Sequence, residues 1–241
     1  MSFLLEVAQW LTDPAHWQGP NGIPTRLEEH ILMSVISTLV AAAIALPIGL
    51  TLGHYGVGGA LAINISNIGR ALPSFAILVL AVQLFGIGAT PAFLSLVALA
   101  IPPIVTNSFV GMRDVDPDLR DAARGLGFRE RRTLLQVEIP SAVPVVMAGI
   151  RTAGVQVVAT ATLAALVGWG GLGRYILDGF ANRDRVEIFA GAFLVAVLAL
   201  VAEAGLAGLQ YLLTPAGLRS QARQEAPTML AGQSAQAQGA T

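Results

Sequence analysis

Residues 116–144 read DPDLRDAARGLGFRERRTLLQVEIPSAVP, and the rest of the chain is arranged around them. This is the most charged segment of an otherwise apolar sequence, with Arg120, Arg124, Arg129, Arg131 and Arg132 between two long uncharged blocks. Asp116 is placed to cap a helix, since a carboxylate there accepts the free N–H groups of a first turn. Pro117 falls at the first helical position, where its missing donor costs nothing. The pattern predicts a short helix over 117–124, with Gly125 and Gly127 supplying its end and a tight bend. A second short helix over 128–137 is expected to stop before Pro140, and Ser141 to cap the helix that follows. The product is a helix–turn–helix outside the membrane whose neighbours lie within it.

The composition on either side is that of a lipid-soluble chain: 54% hydrophobic, 12% charged, with a mean hydropathy of +0.67. A net charge of -1 gives nucleic acid nothing to bind. Without cysteine there are no disulfides, no thiol chemistry and no Cys-based metal sites. His16, His30 and His54 fit no ligand spacing, so no metal is expected. All 14 basic residues are Arg, and the absence of Lys excludes a Gly-rich, Lys-containing phosphate loop. The chain is therefore expected to be no enzyme and to carry no cofactor. Any ATP that drives it must be bound by another subunit.

Residues 1–29 lack the basic start of a secretory signal, and their apolar run is broken by Glu6. An interfacial amphipathic helix over 2–11 is expected, with Trp10 and Trp17 near the headgroups. The uncharged run 31–53 is long enough to cross a bilayer, and membrane helices tolerate its Pro47 and Gly49. Residues 56–69 read as a short helix or interfacial segment, and Arg70 marks a membrane boundary. The uncharged run 71–112 is too long for one crossing; Gly86, Gly88 and Pro91 divide it into helices over 72–87 and 91–111. Past the charged loop, 142–168 forms a fourth span. The Gly-rich turn 168–173 lacks a following Lys, Ser or Thr, so it is read as a tight bend rather than a phosphate cradle. A short amphipathic stretch over 174–185 precedes a fifth span over 188–213. The tail beyond Pro215, rich in Gln, Ala and Gly, is expected to be disordered. The domains are thus an extracytoplasmic segment (1–29), an all-α polytopic membrane domain (30–213, with the loop at 114–140) and a tail (214–241).

Five spans place the two termini on opposite sides. With the N-terminus outside, the inner segments hold Arg70, the six Arg from Arg113 to Arg132, Arg219 and Arg223, against Arg26, Arg174, Arg183 and Arg185 outside. The positive-inside rule therefore turns the charged loop toward the cytoplasm. Two charges lie within spans. Arg151 and Glu203 each sit about 15 Å deep at 1.5 Å per residue, so mutual pairing is expected. The alternative is that Arg151 snorkels to the interface and Glu203 faces a wet cavity. Gln83, Asn107, Gln156, Thr160 and Thr162 either line a translocation path or hydrogen-bond between helices.

Asp121-Ala122-Ala123, Gly127 and Val137-Glu138-Ile139-Pro140 together resemble the coupling loop of ABC-importer permeases. That pattern is Glu-Ala-Ala, three residues, Gly, nine residues, then Ile-x-Leu-Pro, with Asp121, Val137 and Ile139 standing for the Glu, Ile and Leu. Arg70-Ala71-Leu72-Pro73-Ser74, Gly149-Ile150-Arg151-Thr152-Ala153, Thr160-Ala161-Thr162-Leu163-Ala164-Ala165 and Gly170-Gly171-Leu172-Gly173-Arg174-Tyr175-Ile176 are similar to segments of osmoprotectant permeases. The resemblance implies a type I importer permease of the inner membrane for glycine betaine, choline, carnitine or proline betaine. It further implies a second permease, identical or similar, two ATPase subunits and an extracytoplasmic binding protein, working by alternating access. On this reading Asp121, Ala122, Ala123, Gly127, Val137, Ile139 and Pro140 receive force from the ATPase. Small side chains at 122 and 123 leave a flat helix face, and Gly127 sets the elbow. Aromatic residues are too sparse in the spans for a cation–π cage, so solute recognition is expected mainly in the binding protein. Another small solute, such as an amino acid, is the alternative cargo. A secondary transporter would be expected to show inverted repeats and would need no such loop. A non-transporting scaffold would not need polar residues at several depths.

Overall fold

The computed structural model describes residues 2–60, 64, 67, 69 and 73–218, and among them no strand occurs. α1 (Ser2–Thr12) and a 3-10 turn (Pro14–Trp17) precede the first long helix, α2 (Ile23–Tyr55). Asp13 caps the 3-10 turn by accepting from the Ala15 N–H at 2.9 Å. α3 (Ser74–Phe85), α4 (Ala89–Arg113), α5 (Pro117–Gly125) and α6 (Glu130–Thr133) follow. A π turn (Leu134–Glu138) leads from α6 into α7 (Ile139–Thr160), which tightens into a 3-10 segment (Ala161–Val167). α8 (Gly173–Asn182) and α9 (Arg185–Leu213) come last.

Four helical stretches among the described residues are long and apolar enough to cross a membrane: Ile23–Tyr55, Ala89–Arg113, Glu130–Val167 and Arg185–Leu213. The helix expected over 72–87 is α3, which has 12 residues. At 1.5 Å per residue it covers about 18 Å of a hydrocarbon core of about 30 Å. The ends of α2 and α4 nevertheless lie side by side, Gly53 against Met112 and Gly56 against Arg113, so the two helices run parallel. α3 therefore belongs to the stretch that returns across the membrane between them, which keeps the number of crossings at five. Gly86 and Gly88, at φ 79° and 147°, end α3 and start α4 in conformations that favour glycine. Residues 61–63, 65, 66 and 68 of the expected segment over 56–69, the expected boundary at Arg70, and the tail from residue 219 lie outside the described residues.

One expectation is overturned. The chain neither stops before Pro140 nor begins a new helix at Ser141. The π turn carries it through, with the Ile139 N–H bonding Leu134 O five residues back. Pro140 has no N–H to give the preceding turn, and the wider turn absorbs that gap without a break. The Ser141 hydroxyl is thereby freed to donate to Val137 O at 2.7 Å instead of capping.

α4 is the centre of the bundle, wedged between α2 and α7. Along α2 the small residues Ser37, Ala41, Ala45, Gly49 and Gly53 recur every four positions, and all five are buried. A β-carbon on Gly49 would lie 2.6 Å from Ser108 Cβ, and one on Gly53 would lie 2.5 Å from Met112 Cβ. On the other side, a β-carbon on Gly149 would lie 2.5 Å from Asn107 Cβ and 3.0 Å from Pro103 O. Lipid tails are as apolar as Leu, so helices in a membrane gain little from hiding apolar surface from one another. They gain from close contact, and small residues at the crossing points supply it. α9 is the outer helix, with only Ala190, Gly191 and Val195 buried along it.

At the end of α2 remote from the charged loop, the Gly-rich turn 168–173 does hold an anion, and that anion is internal. The Gly171 N–H donates to Glu29 Oε2 at 2.7 Å, and a β-carbon on Gly170 would collide with the same carboxylate. Arg26 pairs with Glu29 at 3.0 Å. The Tyr175 hydroxyl donates to Asn21 O at 2.7 Å, and burial pushes its pKa up to about 12, so it stays a donor. These contacts lock the start of α2 onto α8.

Candidate functional site

The helix–turn–helix is built from local rules. The Asp116 carboxylate accepts from the Asp118 N–H at 2.9 Å, with Pro117 in the first turn. At the other end of α5, the Phe128 N–H bonds Ala123 O and the Gly127 N–H bonds Arg124 O, the two bonds of a Schellman cap. Gly127 has φ 79° and open space around it. It is needed for its left-handed backbone, not to avoid a clash.

α5 has two faces. Ala122 is exposed, as are Leu119 (48%) and Leu126 (78%), and these three share one side of the helix. Asp121 is also exposed and pairs with Arg124 at 3.6 Å. Ala123 is turned inward and only 4% exposed. The sequence reading put the two adjacent alanines on one flat face of the helix; in the structure they lie on different sides of α5. Ile139 packs against the small core of Met112, Val115 and Ala142, while Val137 and Pro140 are half-buried where the loop enters α7.

On the inner face lies a charge cluster that the sequence did not reveal. Glu138 is 1% exposed, and its two oxygens serve different partners. Oε2 lies 2.5 Å from His54 Nδ1, at the end of α2. Oε1 lies 3.0 Å from Arg120 Nε of α5, a contact of charge rather than of an aligned N–H. The Arg120 guanidinium also donates to Met112 O, in the last turn of α4.

Within the spans, Arg151 Nε of α7 lies 3.3 Å from Glu203 Oε1 of α9, with side chains 34% and 45% exposed. The five polar residues are dispersed. The Asn107 amide donates to Pro103 O and the Thr162 hydroxyl to Ala159 O, each within its own stretch of chain. Thr160 lines a cavity of about 10 Å³ with Ser74, Leu78 and Ser95, room for a water but not for a solute. Gln83 is exposed near the end of α3, and Gln156 is half-buried on α7.

Residues 31–217 match the family described as binding-protein-dependent transport system inner membrane component. The chain belongs to this family. It is 38% identical over 191 residues to the choline transport system permease protein OpuBB of Bacillus subtilis (strain 168), covering 79% of this chain and 88% of that one. It is 37% identical over 191 residues to the carnitine transport permease protein OpuCB of Listeria monocytogenes, with the same coverage. Among solved structures, the inward-facing MetNI methionine ABC transporter aligns with a TM-score of 0.69 at 21% identity, covering 85% of this chain and all of that one. The fold is thus that of an ABC importer permease, a helical polytopic membrane protein.

In such a permease an ion pair between spans has a direct test. Arg151→Gln and Glu203→Gln should each lower thermal stability in detergent. Removing either partner leaves a charge without its counter-ion, so the double variant should cost less than the sum, by more than about 0.5 kcal/mol. Strict additivity would show that the two side chains do not stabilise each other.

Proposed function

We propose that this permease is the membrane half-channel of an ATP-driven importer for a quaternary ammonium osmoprotectant such as choline, glycine betaine or carnitine. The observation that carries the reading is the resemblance to choline and carnitine permeases over 79% of the chain. Two ATPase subunits, a second permease and an extracytoplasmic binding protein complete the assembly. Leu119, Ala122 and Leu126 form the patch that seats in the ATPase, with Asp121 at its edge. Gly127, Val137, Ile139 and Pro140 hold that patch at a fixed angle to α7. Asn107, Gln156, Thr160, Thr162 and Gln83 line the path that opens when the paired permeases rock apart.

Purifying the tagged chain from membranes tests the assembly. An ATPase should come with it, and hydrolysis should rise when the solute-loaded binding protein is added. A chain that purifies without any ATPase would contradict the reading. The orientation, N-terminus outside and C-terminus in the cytoplasm, has its own check. A phosphatase-type reporter active only outside the cytoplasm should be silent when fused after Thr241 and active when fused before Met1. The reverse pattern would overturn the orientation.

A further inference from the structure

We propose that Glu138 is the residue that transmits movement of α5 into the bundle, with Arg120 and His54 as its two grips. The inference rests on the reading of this chain as an ATP-coupled permease and deepens it.

α5 has 9 residues, too few to be stable alone, so its position is set by what holds it. On its outer side the pairs Asp121–Arg124 and Arg124–Glu130, at 3.6 Å and 3.3 Å, are exposed. Such pairs hold little. On its inner side the attachments are the buried Ala123 and the reach of Arg120 to Met112 O and Glu138. One buried carboxylate therefore joins the π turn, α5 and the end of α2, and through Arg120 the end of α4. Removing one partner of a buried ion pair leaves an uncompensated charge in a dry site, which is strongly unfavourable. A push on α5 consequently cannot slide it past Glu138. It must carry the ends of α2, α4 and α7 with it.

The π turn is what makes this possible. Its extra residue rotates the chain relative to a continuous α-helix and sets Glu138 on the inner face, opposite His54. Glu130 adds a weaker contact, its Oε2 lying 3.9 Å from His54 Nε2.

The test compares Glu138→Gln, Arg120→Gln and the double variant, assembled with ATPase and binding protein in vesicles. Each single variant should purify with the wild-type amount of ATPase and continue to hydrolyse ATP. Solute moved per ATP should fall about tenfold, within the range of site-to-site coupling. The double variant should be no worse than either single one. Glu138→Asp, which keeps the charge, should recover part of the ratio. Should Glu138→Gln fail to accumulate, the double variant carries the test, since it leaves no unpaired charge between these two positions. A wild-type solute-to-ATP ratio in the variants would overturn the proposal. So would loss of bound ATPase in step with uptake, because Glu138 would then serve docking rather than transmission. Wild-type vesicles that import nothing with ATP would instead overturn the permease reading beneath it.

Discussion

Ala122→Trp should leave a folded, inserted permease that no longer holds its ATPase and no longer imports solute. Ala122 stands between Leu119 and Leu126 on the exposed side of α5, and none of the three is committed to this chain's own core. An indole there would hold a partner's groove away from both leucines. Central contacts of this kind are worth about 2 kcal/mol or more, which is about thirtyfold in affinity. The neighbouring change, Ala123→Trp, is a different experiment. Ala123 is 4% exposed, so a large side chain must displace the inner face of α5 and should reduce the yield of folded protein. Arg131→Gln is the control, since an exposed charge contributes under about 1 kcal/mol. Uptake, bound ATPase and yield measured together separate the cases. Normal ATPase binding by Ala122→Trp would remove this face of α5 from the docking surface.

Gly149→Val should be the most damaging single change within the spans. The first atom it adds falls 2.5 Å from Asn107 Cβ and 3.0 Å from Pro103 O. Neither can yield as the tip of a flexible side chain would: one is fixed to the α4 backbone and the other is part of it. α7 must move off the central helix, at the upper end of overpacking costs, about 3 kcal/mol. Gly49→Val should behave alike, because Ser108 Cβ and Val105 O both lie 2.6 Å from the added carbon. Gly205→Val, with nothing within 4 Å, should insert and melt nearly as wild type. Melting by a folded-state fluorescence signal in detergent ranks the three. A Gly149→Val protein as stable as Gly205→Val would mean that α4 and α7 do not touch as described.

What could be read ahead of the structure was whatever is decided locally. Asp116, Pro117 and Gly127 fix the ends of α5 through their own backbone chemistry, and those ends lie within a residue of where the sequence puts them. Depth counting sufficed to set Arg151 and Glu203 at one level, because two successive membrane helices run antiparallel. Contacts across the chain were not legible. His54 and Glu138 are 84 residues apart, and no spacing rule links them. Nor could the sequence say which of two adjacent alanines faces in. That depends on which side of α5 packs against the bundle, the side from which Arg120 reaches Glu138 and Met112 O. The stripe of five small side chains, one every four residues along α2, is regular, yet in a uniformly apolar helix small and large residues look alike until a partner is packed against them.

The central claim is that ATP, spent by a partner subunit, moves an osmoprotectant through this chain. Uptake of radiolabelled choline or glycine betaine into vesicles carrying the permease, its ATPase and its binding protein tests it most directly. Accumulation should require ATP on the ATPase side and the binding protein on the other, and should stop when either is withheld. Accumulation without ATP, driven by a sodium or proton gradient alone, would contradict the account.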